Sequence, residues 1–121
     1  MESQNLNLIN FDQLSELKRQ LGSDSTVILI DRFKLELEGL ISQISNFEKD
    51  QDDFETLIGS IHKSAGSSAA LGISGVQQQL NIMETLAKTK NATEVFNELS
   101  RLMEIWQAAK TALIIKSLMQ P

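Results

Sequence analysis

His62 is the one histidine in a chain of 121 residues that also lacks cysteine and tyrosine. Any imidazole chemistry runs through that ring. A neutral imidazole can act near pH 7 as nucleophile, general base or metal ligand. A single ring excludes sites built on paired histidines and leaves a Ser-His-Asp triad only one possible base. Without cysteine, disulfides, thiolate nucleophiles and cysteine-ligated zinc are excluded as well.

The surroundings of His62 are unusual for a helix. The stretch Ile61-His62-Lys63-Ser64-Ala65-Gly66-Ser67-Ser68-Ala69-Ala70-Leu71-Gly72 spends glycine and serine where stronger helix formers are preferred. At about 100° per residue, Phe54, Leu57, Ile61 and Leu71 define a core direction, and His62 points roughly 110° away from it. The ring is therefore expected at the edge of the buried face, in reach of water. Gly59, Gly66 and Ala69 fall three before, four after and seven after it, on the same surface. Each mid-helix glycine costs about 0.5–1 kcal/mol relative to alanine. Two things can offset that cost: clearance for a partner to reach the ring, or close packing of a neighbouring helix on the glycines.

The elements that must position this stretch read as helices throughout. Phe11, Leu14, Leu17 and Leu21 recur at helical spacing, with Asn10 and Gln13 as a capping pair and Gly22 as the stop. Behind Ser23 and Asp24 as caps, Val27, Ile30, Phe33, Leu37, Leu40, Ile44 and Phe47 keep one apolar face for about six turns. An acidic loop follows, in which Asp52 and Glu55 form a capping pair for the His62 helix. The alternating ligands and central glycine of a calcium loop are missing there.

That third helix is expected to run to about Leu71, with Gly72 closing it and Ser74 and Gln77 capping the next. Val76, Leu80, Met83 and Leu86 mark the fourth helix. Asn91 and Glu94 cap a fifth that carries Val95, Leu99, Leu102, Trp106, Ala109 and Leu113. The expected fold is all-α: an antiparallel up-down-up-down four-helix bundle with a short additional N-terminal helix, residues 10–118, behind an N-terminal extension 1–9.

Sixteen acidic against eleven basic residues give a net charge of −5, and no basic stripe is present, so nucleic acid is not an expected partner. No apolar run approaches the roughly 18–20 residues of a membrane span, and the start lacks the pattern of an export signal. A soluble cytoplasmic chain, with no membrane partner, is expected, and the acceptor triplet Asn91-Ala92-Thr93 then has no role in glycosylation.

His62, Gly66, the small-residue run Ser67 to Leu71 and Gly72 match, position by position, the motif of histidine-containing phosphotransfer (HPt) domains. The resemblance extends from about Asn10 to Leu113. It implies a phosphorelay intermediate in which His62 accepts a phosphoryl group from a receiver-domain aspartate and passes it to another receiver. The implied partners are response-regulator receiver domains and a hybrid sensor histidine kinase, docking over Gly59, Gly66, Ser67 and Ala69. No cofactor is implied, since Mg2+ is expected only in the partner receiver domain. The chain has no glycine-rich nucleotide loop, so it is expected to be a phosphoryl carrier and not an enzyme that phosphorylates itself from ATP.

Relatives usually carry a lysine three residues after the histidine, where this chain has Ala65. Lys63 beside His62, or Lys88 late in the fourth helix where the family often has a basic residue, are the candidates to supply that charge. Glu36 stands where several relatives place a polar side chain that hydrogen-bonds the imidazole. The departure at Ala65 also motivates an alternative, an HPt-like receiver-binding or scaffold module with impaired phosphotransfer. A third possibility, the dimerising phosphoacceptor helices of a sensor kinase, needs a two-helix hairpin that buries its face across a dimer. Five capped segments favour self-contained burial and a monomer.

Overall fold

The computed structural model describes residues 8–121, and these are all-helical. The helices are α1 (Phe11–Leu21), α2 (Ser23–Ser45), α3 (Phe54–Ala70), α4 (Ser74–Lys88), α5 (Ala92–Asn97) and α6 (Leu99–Ile115). They form a helical bundle in which α2 packs on α3, α3 on α4, α4 on α6 and α6 on α2, with α1 against α2. Among the described residues no helix is long and apolar enough to cross a membrane.

The apolar spacing along each helix becomes the core. From α2 it takes Ile30, Phe33, Leu37, Leu40 and Ile44, from α3 Leu57 and Ile61, and from α4 Val76, Leu80 and Met83. Leu102, Trp106, Ala109 and Leu113 close it from α6. Phe33 meets Trp106 edge to face, 5.6 Å between ring centroids at 87°, an arrangement that sets the positive edge of one ring on the negative face of the other. The indole Nε1 of Trp106 is buried without a hydrogen-bond partner, and Lys110 Nζ stands 5.6 Å from the ring centroid. The core reaches one residue past each expected edge, since Ile9 and Met119 are both buried. Leu8 packs partly buried against that core, and residues 1–7 of the expected extension lie outside the described residues.

Helix ends follow the capping signals with four changes. Asn10 caps α1 by accepting from the Gln13 amide, 3.0 Å, but the Gln13 side chain does not reach back. Instead its Nε2 donates to Ala69 O and Ala70 O at the end of α3, at 2.7 and 3.1 Å. Together with Asn10 N donating to Gly72 O at 2.7 Å, this ties α1 to the free carbonyls that every helix C-terminus leaves.

Gly22, not Ser23 or Asp24, occupies the N-cap of α2, and it also ends α1. Asp53, not Asp52, caps α3, because Asp52 is occupied in closing the preceding turn on Glu48 N at 2.8 Å. Phe47 and Phe54 meet edge to face across that loop, 4.8 Å between centroids, and hold its ends together. Ser74 is the first residue of α4 and not its cap, with its hydroxyl donating to Gly72 O.

The expected fifth helix is broken into α5 and α6 at Glu98. The buried Gln79 of α4 donates Nε2 to Glu98 O at 3.1 Å and to Glu98 Oε1 at 2.9 Å. A buried amide has to find acceptors, and the tightened turn at Glu98, whose own N–H is shared between Glu94 O and Val95 O, supplies them.

Two glycines hold backbone that other residues resist. Gly22 has φ +88 and ψ 163, and Gly72 has φ +72. A Cβ on Gly72 would also sit 3.0 Å from Asn10 O. Alanine at either position is expected to destabilise the fold in urea titrations by about 1–3 kcal/mol, with Gly72→Ala the more costly of the two.

Candidate functional site

The site is built on the hairpin of α3 and α4. Leu71, Gly72 and Ile73 turn the chain in three residues, and among the described residues these two helices share the most extensive contact. Gly72 stands ten residues after His62 and twelve before Glu84. Arms of nearly equal length from a tight turn bring these two side chains side by side.

His62 is exposed, its side chain 77% accessible. Its Nδ1 lies 3.1 Å from Glu84 Oε2 and 3.3 Å from Oε1. Glu84 is mostly covered, 12% accessible, and its Oε2 also receives Lys88 Nζ at 3.3 Å from one turn further along α4. An ionised carboxylate can only accept hydrogen bonds, so it selects the tautomer with hydrogen on Nδ1. The lone pair then belongs to Nε2, which no described residue engages. Lys88, Glu84 and His62 stand in a row, with the Glu84 carboxylate between the ammonium and the ring.

An open groove of about 400 Å³ runs beside the ring, with His62, Ala65, Gly66 and Ala69 on one bank and Asn81, Glu84 and Lys88 on the other. Gly59 and Gly66 are both exposed, and a Cβ built on either would meet nothing within 4 Å. No neighbouring helix packs on these glycines, so internal packing does not account for them. The flank of α3 around His62 is bare.

The sequence-derived residues sort onto different sides of α3. His62, Gly59, Gly66 and Ala69 share one surface, and Lys88 reaches it from α4 through Glu84. Lys63 is exposed and makes no ion pair among the described residues. Glu36 does not touch the imidazole. It accepts from Ser64 Oγ at 2.8 Å and Ser67 Oγ at 3.1 Å. The reason is angular: Ser64 and Ser67 lie about 140–160° around the helix from His62, on the flank that faces α2. Ser67 is half-buried, with its hydroxyl donating to Glu36 on that flank.

Ala65 lines the groove but is 6% exposed and belongs to the core. A lysine there would have to run its stem along the groove to bring its charge to the ring.

Glu84 is the residue that sequence reasoning missed. A helical wheel of α3 cannot show a side chain from α4. The signal that could have found it is the pair of arm lengths from Gly72, together with the Glu84–Lys88 spacing of four that marks one face of α4. Among the described residues no three His, Cys, Asp or Glu side chains converge to hold a metal ion. Compared with family models, curated proteins and solved structures, the chain finds no match.

The open space at the two glycines has a measurable consequence. Gly59→Ala and Gly66→Ala are each expected to raise stability in chemical denaturation by about 0.5–1 kcal/mol. A loss of stability would mean that something packs there after all.

Proposed function

We propose that the chain is a histidine phosphotransfer protein of a two-component phosphorelay. In this reading His62 takes a phosphoryl group from a receiver-domain aspartate and hands it to a second receiver. The observation that carries the proposal is an exposed imidazole with Nδ1 engaged by Glu84 and Nε2 free, on a helix flank cleared by Gly59 and Gly66. Match of His62, Gly66 and Gly72 to the HPt motif supports the same reading.

Transfer between an aspartyl phosphate and an imidazole needs in-line approach and charge near the phosphoryl oxygens, with little further covalent work. The bare flank serves the first need, and Lys88 at the groove serves the second. Magnesium belongs to the receiver's acidic pocket in this proposal. The bundle is proposed as an antiparallel four-helix arrangement, on the strength of its short connections and its ring of neighbouring pairs. A cytoplasmic monomer fits the same role.

A second reading, a receiver-binding or scaffold module with impaired transfer, draws on Ala65 and on the pairing of Lys88 with Glu84. Incubation with a phosphorylated receiver separates the two. Transfer predicts an acid-labile, base-stable label that His62→Gln abolishes and that Gly66→Gln slows by about tenfold or more without loss of fold. A wild-type chain that binds receivers yet takes no label, and gains it on Ala65→Lys, establishes the binding module. Label that persists in His62→Gln overturns the phosphotransfer reading.

A further inference from the structure

We infer that the hollow between α1, α2 and α3 binds a free apolar α-amino acid as its zwitterion. It opens on the flank of α3 that faces α2, away from His62, so the inference stands apart from what the ring carries. The hollow measures about 290 Å³ and is walled by Leu17 of α1, Leu29 and Phe33 of α2, and Leu71 at the end of α3. Arg32 and Glu36 belong to the same lining. Ligand pockets start at about 300 Å³, so this one suits a metabolite of amino-acid size.

The two charges in that lining lack counter-ions. Arg32 and Glu36 are four residues apart on α2, a spacing at which helices pair opposite charges, yet they form no ion pair among the described residues. Arg32 is exposed and Glu36 is half-buried. The Glu36 carboxylate accepts from two neutral hydroxyls, Ser64 Oγ on Oε2 at 2.8 Å and Ser67 Oγ on Oε1 at 3.1 Å. Each carboxylate oxygen has two lone pairs, so a further acceptor position is left on both. Anions withdrawn from water are ordinarily paired with a cation, and this one has only hydroxyl donors.

A zwitterion meets both deficits at once. Its carboxylate matches the guanidinium fork of Arg32. Its ammonium donates to the open acceptor positions of Glu36, and its side chain falls among Leu17, Leu29, Phe33 and Leu71. A plain carboxylic acid brings a second anion to Glu36 without a cation to balance it. A plain amine does the same to Arg32 with the opposite sign. An uncharged hydrocarbon leaves both charges as they were.

The experiment uses the whole chain and L-leucine, followed by isothermal titration calorimetry and amide chemical shifts. A Kd of about 0.1–1 mM is expected, the range open to a ligand with so few non-hydrogen atoms. The shift changes are expected to centre on α2 around Leu29 to Glu36 and on the end of α3. Leucinamide keeps the ammonium and loses the carboxylate, and 4-methylpentanoate does the reverse. Each is expected to bind about tenfold more weakly or worse, as is glycine, which has no side chain to bury. Arg32→Gln, at an exposed position outside the core, is expected to weaken leucine by about tenfold and to leave leucinamide unchanged, because only the carboxylate meets Arg32.

Neither heat nor shift change at about 20 mM leucine, well above the expected Kd, overturns the inference. Leucinamide binding as well as leucine would make the N-terminal residue of a peptide the ligand, and 4-methylpentanoate doing so would make it a plain anion. Either result overturns the inference, as does undiminished leucine binding in Arg32→Gln.

Discussion

The turn at Gly72 is the constraint on which the site depends. Its positive φ lets the chain reverse within three residues, and Asn10 and Gln13 seal it by occupying the carbonyls of Gly72, Ala69 and Ala70. Because the reversal is short, the register between α3 and α4 has little freedom. That register brings a carboxylate from one helix to a nitrogen on the other. A longer or looser connection would leave Glu84 with a range of neighbours. The imidazole would then have no preferred tautomer.

Polar groups in this bundle are placed by which neighbour each flank of α3 faces. The flank toward α2 is closed by Glu36, Ser64 and Ser67, which satisfy one another. The flank toward α4 stays open as a groove. One acid locks the helix against its neighbour and the other orients the ring. Their assignments could not be exchanged without rotating α3 by close to half a turn.

Much of this architecture was legible in the sequence because it depends on neighbours along the chain. Helical spacing from Ile30 to Ile44 and the stops at Gly22 and Gly72 are local signals, as is the Asn91 cap, which the Glu94 amide fills at 3.1 Å. The exposure of His62 followed from the angular position of its own helix. What was not legible required two helices at once. Glu36 is out of reach of the imidazole because α2 meets a different flank of α3, which its place along its own helix does not reveal. Glu84 escaped notice because its partner lies 22 residues away. The break at Glu98 likewise depends on a buried glutamine of α4, which no helix propensity within residues 92–113 reveals.

Trp106 is the only tryptophan in the chain, and it is 3% exposed in the core. It sits on α6, which packs on α2, α4 and α5 and leaves α3 to other neighbours. An indole so enclosed emits at short wavelength and shifts to the red once water reaches it. With no tyrosine to add its own emission, the fluorescence of this protein is a single-site optical probe of bundle integrity. The exposed imidazole stands on α3, a helix outside the set that packs on α6, so the state of the bundle is read at a site remote in the fold from the ring.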